Sequence, residues 1–167
     1  SSNSVMNLFK DRQGTIWIST FFGGVNYINP ENQKIQFYYQ SSNGLPYPIL
    51  GKFAEDKNGL IWITTEGGSS IASYHPKTAQ FTSYSIPGNN YKEVYYDAAQ
   101  HCLWLGTQMY EVIRFDITTR KTEVYKSEIN NPNSYFGRHI WAIRPYDGKL
   151  LIGSTIGIRI YDPQTRR

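Results

Sequence analysis

Aromatic rings beside groups that donate and accept hydrogen bonds occur in a few short stretches of this sequence. Phe21 and Phe22 precede a Gly-Gly pair, Tyr47 sits between two prolines, and Glu66 precedes Gly67-Gly68. Gln108 and Tyr110 flank Met109, while Tyr135, Arg138, His139 and Trp141 follow one another closely. A ligand with apolar faces and hydroxyl edges needs aromatic platforms beside such polar groups. Arg138 also offers a guanidinium that can pair with a ligand carboxylate. These residues form the candidate ligand-binding set. Loop aromatics often pack their own loops, and about half of the set is expected to do only that.

Other chemistries find little support. His75, His101 and His139 lie in different connections without i, i+4 spacing, so no zinc site is indicated. Gly153-Ser154-Thr155-Ile156-Gly157 puts the serine in the wrong place for a nucleophile elbow. There is no phosphate-binding loop and no dinucleotide fingerprint, and no cofactor is expected. Glu66 and Glu111 could be paired for glycoside hydrolysis, but isolated loop glutamates are more often solvated. Cys102 is the single cysteine, so it closes no intramolecular disulfide, and it reads as a small buried side chain.

Composition narrows the partners. The 167 residues are 40% apolar and 16% aromatic, enough to bury a sizeable core. Fourteen Tyr and eight Phe against two Met favour β structure, where flat rings suit a pleated surface. Net charge is +4, yet basic residues are adjacent only at Arg120-Lys121 and Arg166-Arg167. A protein tracking a phosphate backbone would show a basic stripe, so direct nucleic-acid contact is not expected. No apolar run approaches the ~18 residues of a membrane span.

The elements that must position the candidates come from a repeat. Asp11-Arg12-Gln13-Gly14-Thr15-Ile16-Trp17-Ile18-Ser19-Thr20 returns as Asp56-Lys57-Asn58-Gly59-Leu60-Ile61-Trp62-Ile63-Thr64-Thr65. Leu103-Trp104-Leu105-Gly106-Thr107 and Leu150-Leu151-Ile152-Gly153-Ser154 continue the series. Aligned on Trp17, Trp62, Trp104 and Leu151, the copies are 45, 42 and 47 residues apart. A unit of that length with no sustained 3.6-residue period fits one four-stranded antiparallel blade of a β-propeller. The fold expected is therefore all-β, a partial propeller with blades at 5–39, 49–85, 91–126 and 140–161, the last lacking its outer strand. Trp17, Trp62 and Trp104, at one repeat position, are expected to pack between blades. The remaining blades, or a second copy through open edges, are the expected protein partners.

Within each copy the turns between first and second strands and between third and fourth are stereotyped: Asp caps, Gly supplies positive φ, and Pro fixes φ. The other two connections differ in every copy and emerge at the opposite end. Repeat proteins place binding surfaces where repeats differ, and every candidate lies at this variable end.

The pattern Asp-x-x-Gly-x-Ile-Trp-Ile-x-Thr, then Gly-Gly, then Asn29-Pro30 or His75-Pro76, resembles the two-component regulator propeller repeat. The third copy lacks the Asp-x-x-Gly turn and the fourth has Leu151 in place of Trp. The resemblance implies a non-catalytic, periplasmic sensor segment of a hybrid two-component protein, detecting oligosaccharides and signalling to a histidine kinase. A propeller lyase and a protein-interaction scaffold are the alternatives, since the fold serves all three.

Overall fold

The computed structural model describes residues 4–29, 31, 35–38, 44–127 and 137–165. Tyr135, Pro30 and the ends of the 34–39 strand lie outside the described residues. The chain divides into two compact units, Ser1–Ser85 and Ile86–Arg167. The first unit holds two antiparallel sheets. One runs in the order β1 (Val5–Lys10), β2 (Ile16–Thr20), β3 (Val25–Ile28), β4 (Ile35–Tyr38). The other runs β5 (Ile49–Glu55), β6 (Ile61–Glu66), β7 (Ser70–His75), β8 (Gln80–Ser85). In the second unit the third sheet joins β9 (Tyr91–Asp97), β10 (Cys102–Thr107), β11 (Glu111–Asp116) and β12 (Thr122–Lys126). The fourth has three strands, β13 (Ile140–Tyr146), β14 (Lys149–Ser154) and β15 (Gly157–Tyr161). No helix occurs among the described residues. The all-β reading of the sequence holds.

One interaction recurs at the first hairpin of three sheets. Asp11 accepts the Thr15 amide on Oδ1 (2.8 Å) and the Trp17 indole N–H on Oδ2 (2.9 Å). Asp56 accepts the Asn58 amide (2.8 Å) and the Leu60 amide (3.1 Å) on Oδ1, and the Trp62 indole N–H on Oδ2 (3.0 Å). In the third sheet Asp97 accepts from Ala99 and Gln100 on Oδ1, and from the Trp104 indole at 3.4 Å on Oδ2. The carboxylate thus does more than cap the turn. It satisfies the single polar atom of a ring that the core must otherwise bury unpaired. Gly14 and Gly59 supply the positive φ that these turns require (89° and 80°). The third hairpin is one residue longer, and His101 takes the left-handed position at φ 49°. The fourth closes in two residues, Asp147-Gly148, both at positive φ, as a type I′ turn needs.

Strand pairing sorts each sheet into two faces. Phe9, Trp17 and Tyr27 share one face of the first sheet. They pack on Phe53, Ile61, Ile63, Ala72 and Tyr74 of the second. Trp17, Trp62 and Trp104 are 1%, 1% and 0% exposed. In the second unit Cys102, Trp104 and Val112 pack on Ile143, Leu150, Ile152 and Tyr161. A Cβ on Gly106 would lie 2.6 Å from Ile140 Cγ2, so these two sheets meet at a distance only glycine permits.

The other face of the first sheet carries exposed apolar side chains. Register makes Leu8 the counterpart of Phe53, yet Leu8 is 63% exposed where Phe53 is 6% exposed. Ile16, Ile35 and Phe37 are exposed on the same side. On the fourth sheet, Ile158 and Ile160 are exposed beside a part-buried Leu151, with Ile158 three-quarters exposed.

The hydroxyl three residues beyond each Trp position braces the following loop. Thr20 donates to the Gly24 carbonyl, Thr65 to Ser70, Thr107 to Glu111 and Ser154 to Gly157. Directly opposite, every first strand carries a β-bulge, falling at Met6, at Gly51-Lys52, at Lys92 and at Trp141. Bulges re-aim the extra side chain away from the ladder.

If the Asp–indole pair holds the hairpins, Asp56→Ala should lower unfolding stability by about 1–3 kcal/mol, because a buried donor loses its partner. Urea titration followed by tryptophan fluorescence measures this. An unchanged midpoint would show that the pair is incidental.

Candidate functional site

The candidates separate between the two units. In the first, Phe21 and Phe22 project from the loop between β2 and β3, both exposed and in edge-to-face contact (centroids 4.5 Å, 78°). The Phe21 amide donates to the Ser4 carbonyl, and Phe22 sits at φ 56°, a conformation bulky residues rarely adopt. Tyr47 is half-buried over Gly68, where a Cβ would fall 1.9 Å from its Cζ. Gly68 is therefore what lets that ring lie on the loop. Glu66 ends β6 opposite Ile49.

In the second unit Tyr110, Arg138, His139 and Trp141 gather around one pinned stretch of backbone. The Arg138 carbonyl accepts from the Tyr110 amide (3.2 Å), and the Arg138 amide donates to Thr155 Oγ1 (3.0 Å). The His139 carbonyl accepts from the Thr155 amide (3.2 Å). Gln108 is tied to the Asn90 carbonyl through its amide (3.1 Å). Tyr110 is held at φ 63°, and strained bulky residues of this kind cluster at ligand-contacting positions. His139 lies parallel on Trp141, with centroids 5.1 Å apart and 6° between planes. Its Nδ1 is buried with no hydrogen-bond partner among the described residues. Trp141 is 50% exposed, unlike the other three tryptophans. Lys92 Nζ lies 5.9 Å from the Trp141 ring centroid, within cation–π range. Phe21, Phe22, Tyr47 and Glu66 thus belong to the first unit, Gln108, Tyr110, Arg138, His139 and Trp141 to the second, and Tyr135 lies outside the described residues.

The two-component regulator propeller family model matches residues 1–22. No curated protein matches the sequence. Among solved structures, the extracellular domain of the putative one component system BT4673 from B. thetaiotaomicron superposes with a TM-score of 0.80 at 20% identity. The match covers 99% of this chain and 22% of that one. The extracellular domain of the putative hybrid two component system BT3049 from the same organism gives 0.77 at 23% identity, over 98% of this chain and 21% of that one. Virginiamycin B lyase from Staphylococcus aureus gives 0.68 at 19% identity, over 97% and 57%. The chain is built of β-propeller blades. It spans about a fifth of the length of the two extracellular domains it resembles.

Sequence reasoning passed over Lys92 and the bracing hydroxyls of Thr20, Thr65, Thr107 and Ser154. The hydroxyls were legible as the last residue of each Ile-Trp-Ile-x-Thr run. Lys92 was not, because a bulge depends on pairing register. At the opposite, stereotyped end, cavities of about 290 Å³ and 210 Å³ open between neighbouring blades of each unit. The larger is lined by Asp11, Gln13, Tyr27, Asn29 and Tyr74, and burial pushes the Tyr27 and Tyr74 hydroxyls above their ordinary range. Both cavities sit beneath an aspartate of the hairpin motif, and recurrence at equivalent places marks them as a feature of blade packing. Among the described residues no three His, Cys, Asp or Glu side chains converge on a metal site, and no helix is long and apolar enough to cross a membrane.

Burial pushes the Cys102 thiol up to about 11, so at pH 8 the thiolate fraction is on the order of one in a thousand. Iodoacetamide at pH 8 should leave Cys102 unmodified in the folded chain and label it in denaturant. Rapid labelling of the folded chain would show that this strand opens.

Proposed function

We propose that this chain is a non-catalytic, periplasmic ligand-sensing segment of a two-component signalling protein, and that its ligand is an oligosaccharide. The His139–Trp141 stack carries the reading. A half-exposed indole is held flat by a parallel imidazole on backbone pinned from two sides, with Tyr110 and Arg138 tied to the same stretch. Such a platform suits the apolar face of a sugar, and neighbouring polar groups suit its hydroxyls. The match of residues 1–22 to the two-component regulator propeller model and the likeness to sensor extracellular domains support the signalling role. Isothermal calorimetry with a panel of oligosaccharides should show binding that weakens by about tenfold or more, roughly 1.4 kcal/mol, on Trp141→Ala, Tyr110→Ala or Arg138→Ala. If all three variants bind as tightly as wild type, the ligand lies elsewhere. New reducing ends on incubation with glycans would favour the enzymatic alternative.

The open faces support a second part of the reading, that further blades of the same kind cover them. Leu8 and Ile16 stand where Phe53 and Ile61 are buried by a neighbouring blade, so the surface is shaped for that contact. Left open, such a face is an association hazard. Sedimentation velocity on the 167-residue chain should show concentration-dependent self-association that Leu8→Lys with Ile158→Lys suppresses. A monomer at every concentration would argue against it.

A further inference from the structure

The cavity of about 290 Å³ in the first unit lies between the first hairpin of one blade and the turn after β7 of the next. Blade packing accounts for a cavity beneath a hairpin aspartate, but the aspartates are not equally satisfied. Asp97, which lines the smaller cavity, accepts three N–H groups, from Ala99, Gln100 and Trp104. Asp56 also accepts three. Asp11 accepts only two, from the Thr15 amide and the Trp17 indole. The missing donor is the Gln13 amide, whose counterpart Asn58 does reach Asp56. Yet Asp11 is only 6% exposed and makes no ion pair among the described residues. A carboxylate can accept at about four lone-pair positions, so Asp11 presents unused acceptor capacity to the cavity. A buried carboxylate without a counter-cation gains most from a donor that brings positive charge.

We infer that this cavity binds a small zwitterion, a free α-amino acid, with its ammonium on Asp11 and its carboxylate toward Lys77. Lys77 lines the same cavity, is exposed, and pairs neither with Asp11 nor with any other described carboxylate. The lining therefore holds a buried negative group and an exposed positive one that do not neutralise each other. A ligand with only a cation meets the lysine at the entrance, and one with only an anion meets the aspartate inside. A molecule carrying both is matched at each end. Trp17, Tyr27 and Tyr74 pack on one another at 5.0 to 6.3 Å between centroids, so they form a wall that bounds the space. The volume sits at the lower edge of the roughly 300–1,000 Å³ of ligand pockets, which suits a molecule of this size. The inference does not depend on the oligosaccharide reading, which concerns the opposite end of the blades.

Calorimetry on the 167-residue chain with glycine, alanine, leucine and phenylalanine at millimolar concentration tests this, at about pH 6, where α-amino groups are protonated. The amino acid that binds best should lose about tenfold or more on N-acetylation, which removes the ammonium. Conversion to its amide, which removes the carboxylate, should cost about tenfold. Lys77→Met, checked for folding by circular dichroism, should bind the acid and the amide alike. Asp11 also holds its hairpin, so its part is read from the spectrum of the intact chain. Bound ligand should move the Trp17 indole N–H resonance, whose acceptor is Asp11, and leave those of Trp62, Trp104 and Trp141 in place. Binding that leaves Trp17 unmoved, or a preference for the acid that survives in Lys77→Met, overturns the inference. Equal binding of the N-acetyl derivative overturns it too, as does the failure of all four amino acids to bind.

Discussion

An aspartate that accepts an indole N–H while holding its own hairpin is the interaction on which these blades depend. A tryptophan brings the largest apolar surface available to a blade interface, but it carries one donor that burial would leave unsatisfied. Leaving such a donor unpaired costs about 1–3 kcal/mol, a substantial part of the stability of a small domain. Asp11, Asp56 and Asp97 remove that cost and fix the first turn with the other carboxylate oxygen. The same two atoms therefore couple local turn geometry to long-range packing. In the fourth blade Leu151 has no donor to satisfy, and the hairpin shortens to Asp147-Gly148.

Fixing one end of a blade leaves the other free to vary. The Thr or Ser hydroxyl at the end of each second strand ties down the loop that follows, whatever its sequence. Loops as different as Phe21-Phe22-Gly23-Gly24 and Gln108-Met109-Tyr110 are thus carried on one frame. The bulges extend this principle to the first strands. Their side chains change from Met to Lys to Trp while the pairing on either side of the bulge is kept.

Much of this was legible in the sequence. The Trp period specified blades because a 42- to 47-residue unit of short alternating segments has few other solutions. The third copy lacks the Asp-x-x-Gly spacing because its hairpin is one residue longer. His101 replaced glycine at the left-handed position and the Asp-x-x-Gly spacing disappeared, although Asp97 kept its role. The place of Lys92 at a bulge could not be read from the sequence, since only pairing register reveals it. The candidate rings could be selected by type and connection, but not sorted. Tyr47 lies on Gly68 in the loop between β6 and β7, while Trp141 is half-exposed. Side-chain chemistry is the same in both cases; the difference lies in which neighbour is a glycine and where a strand bulges.

The four tryptophans divide into three that are buried against an aspartate and one, Trp141, that is half-exposed. Hydrogen exchange of the four indole N–H groups, resolved by NMR, tests this division most directly. The account predicts that the Trp17, Trp62 and Trp104 indoles are protected, because each is buried and donates to an aspartate. Trp141 should exchange rapidly in the free chain. Fast exchange at any of the first three, or protection at Trp141 in the free chain, would contradict it.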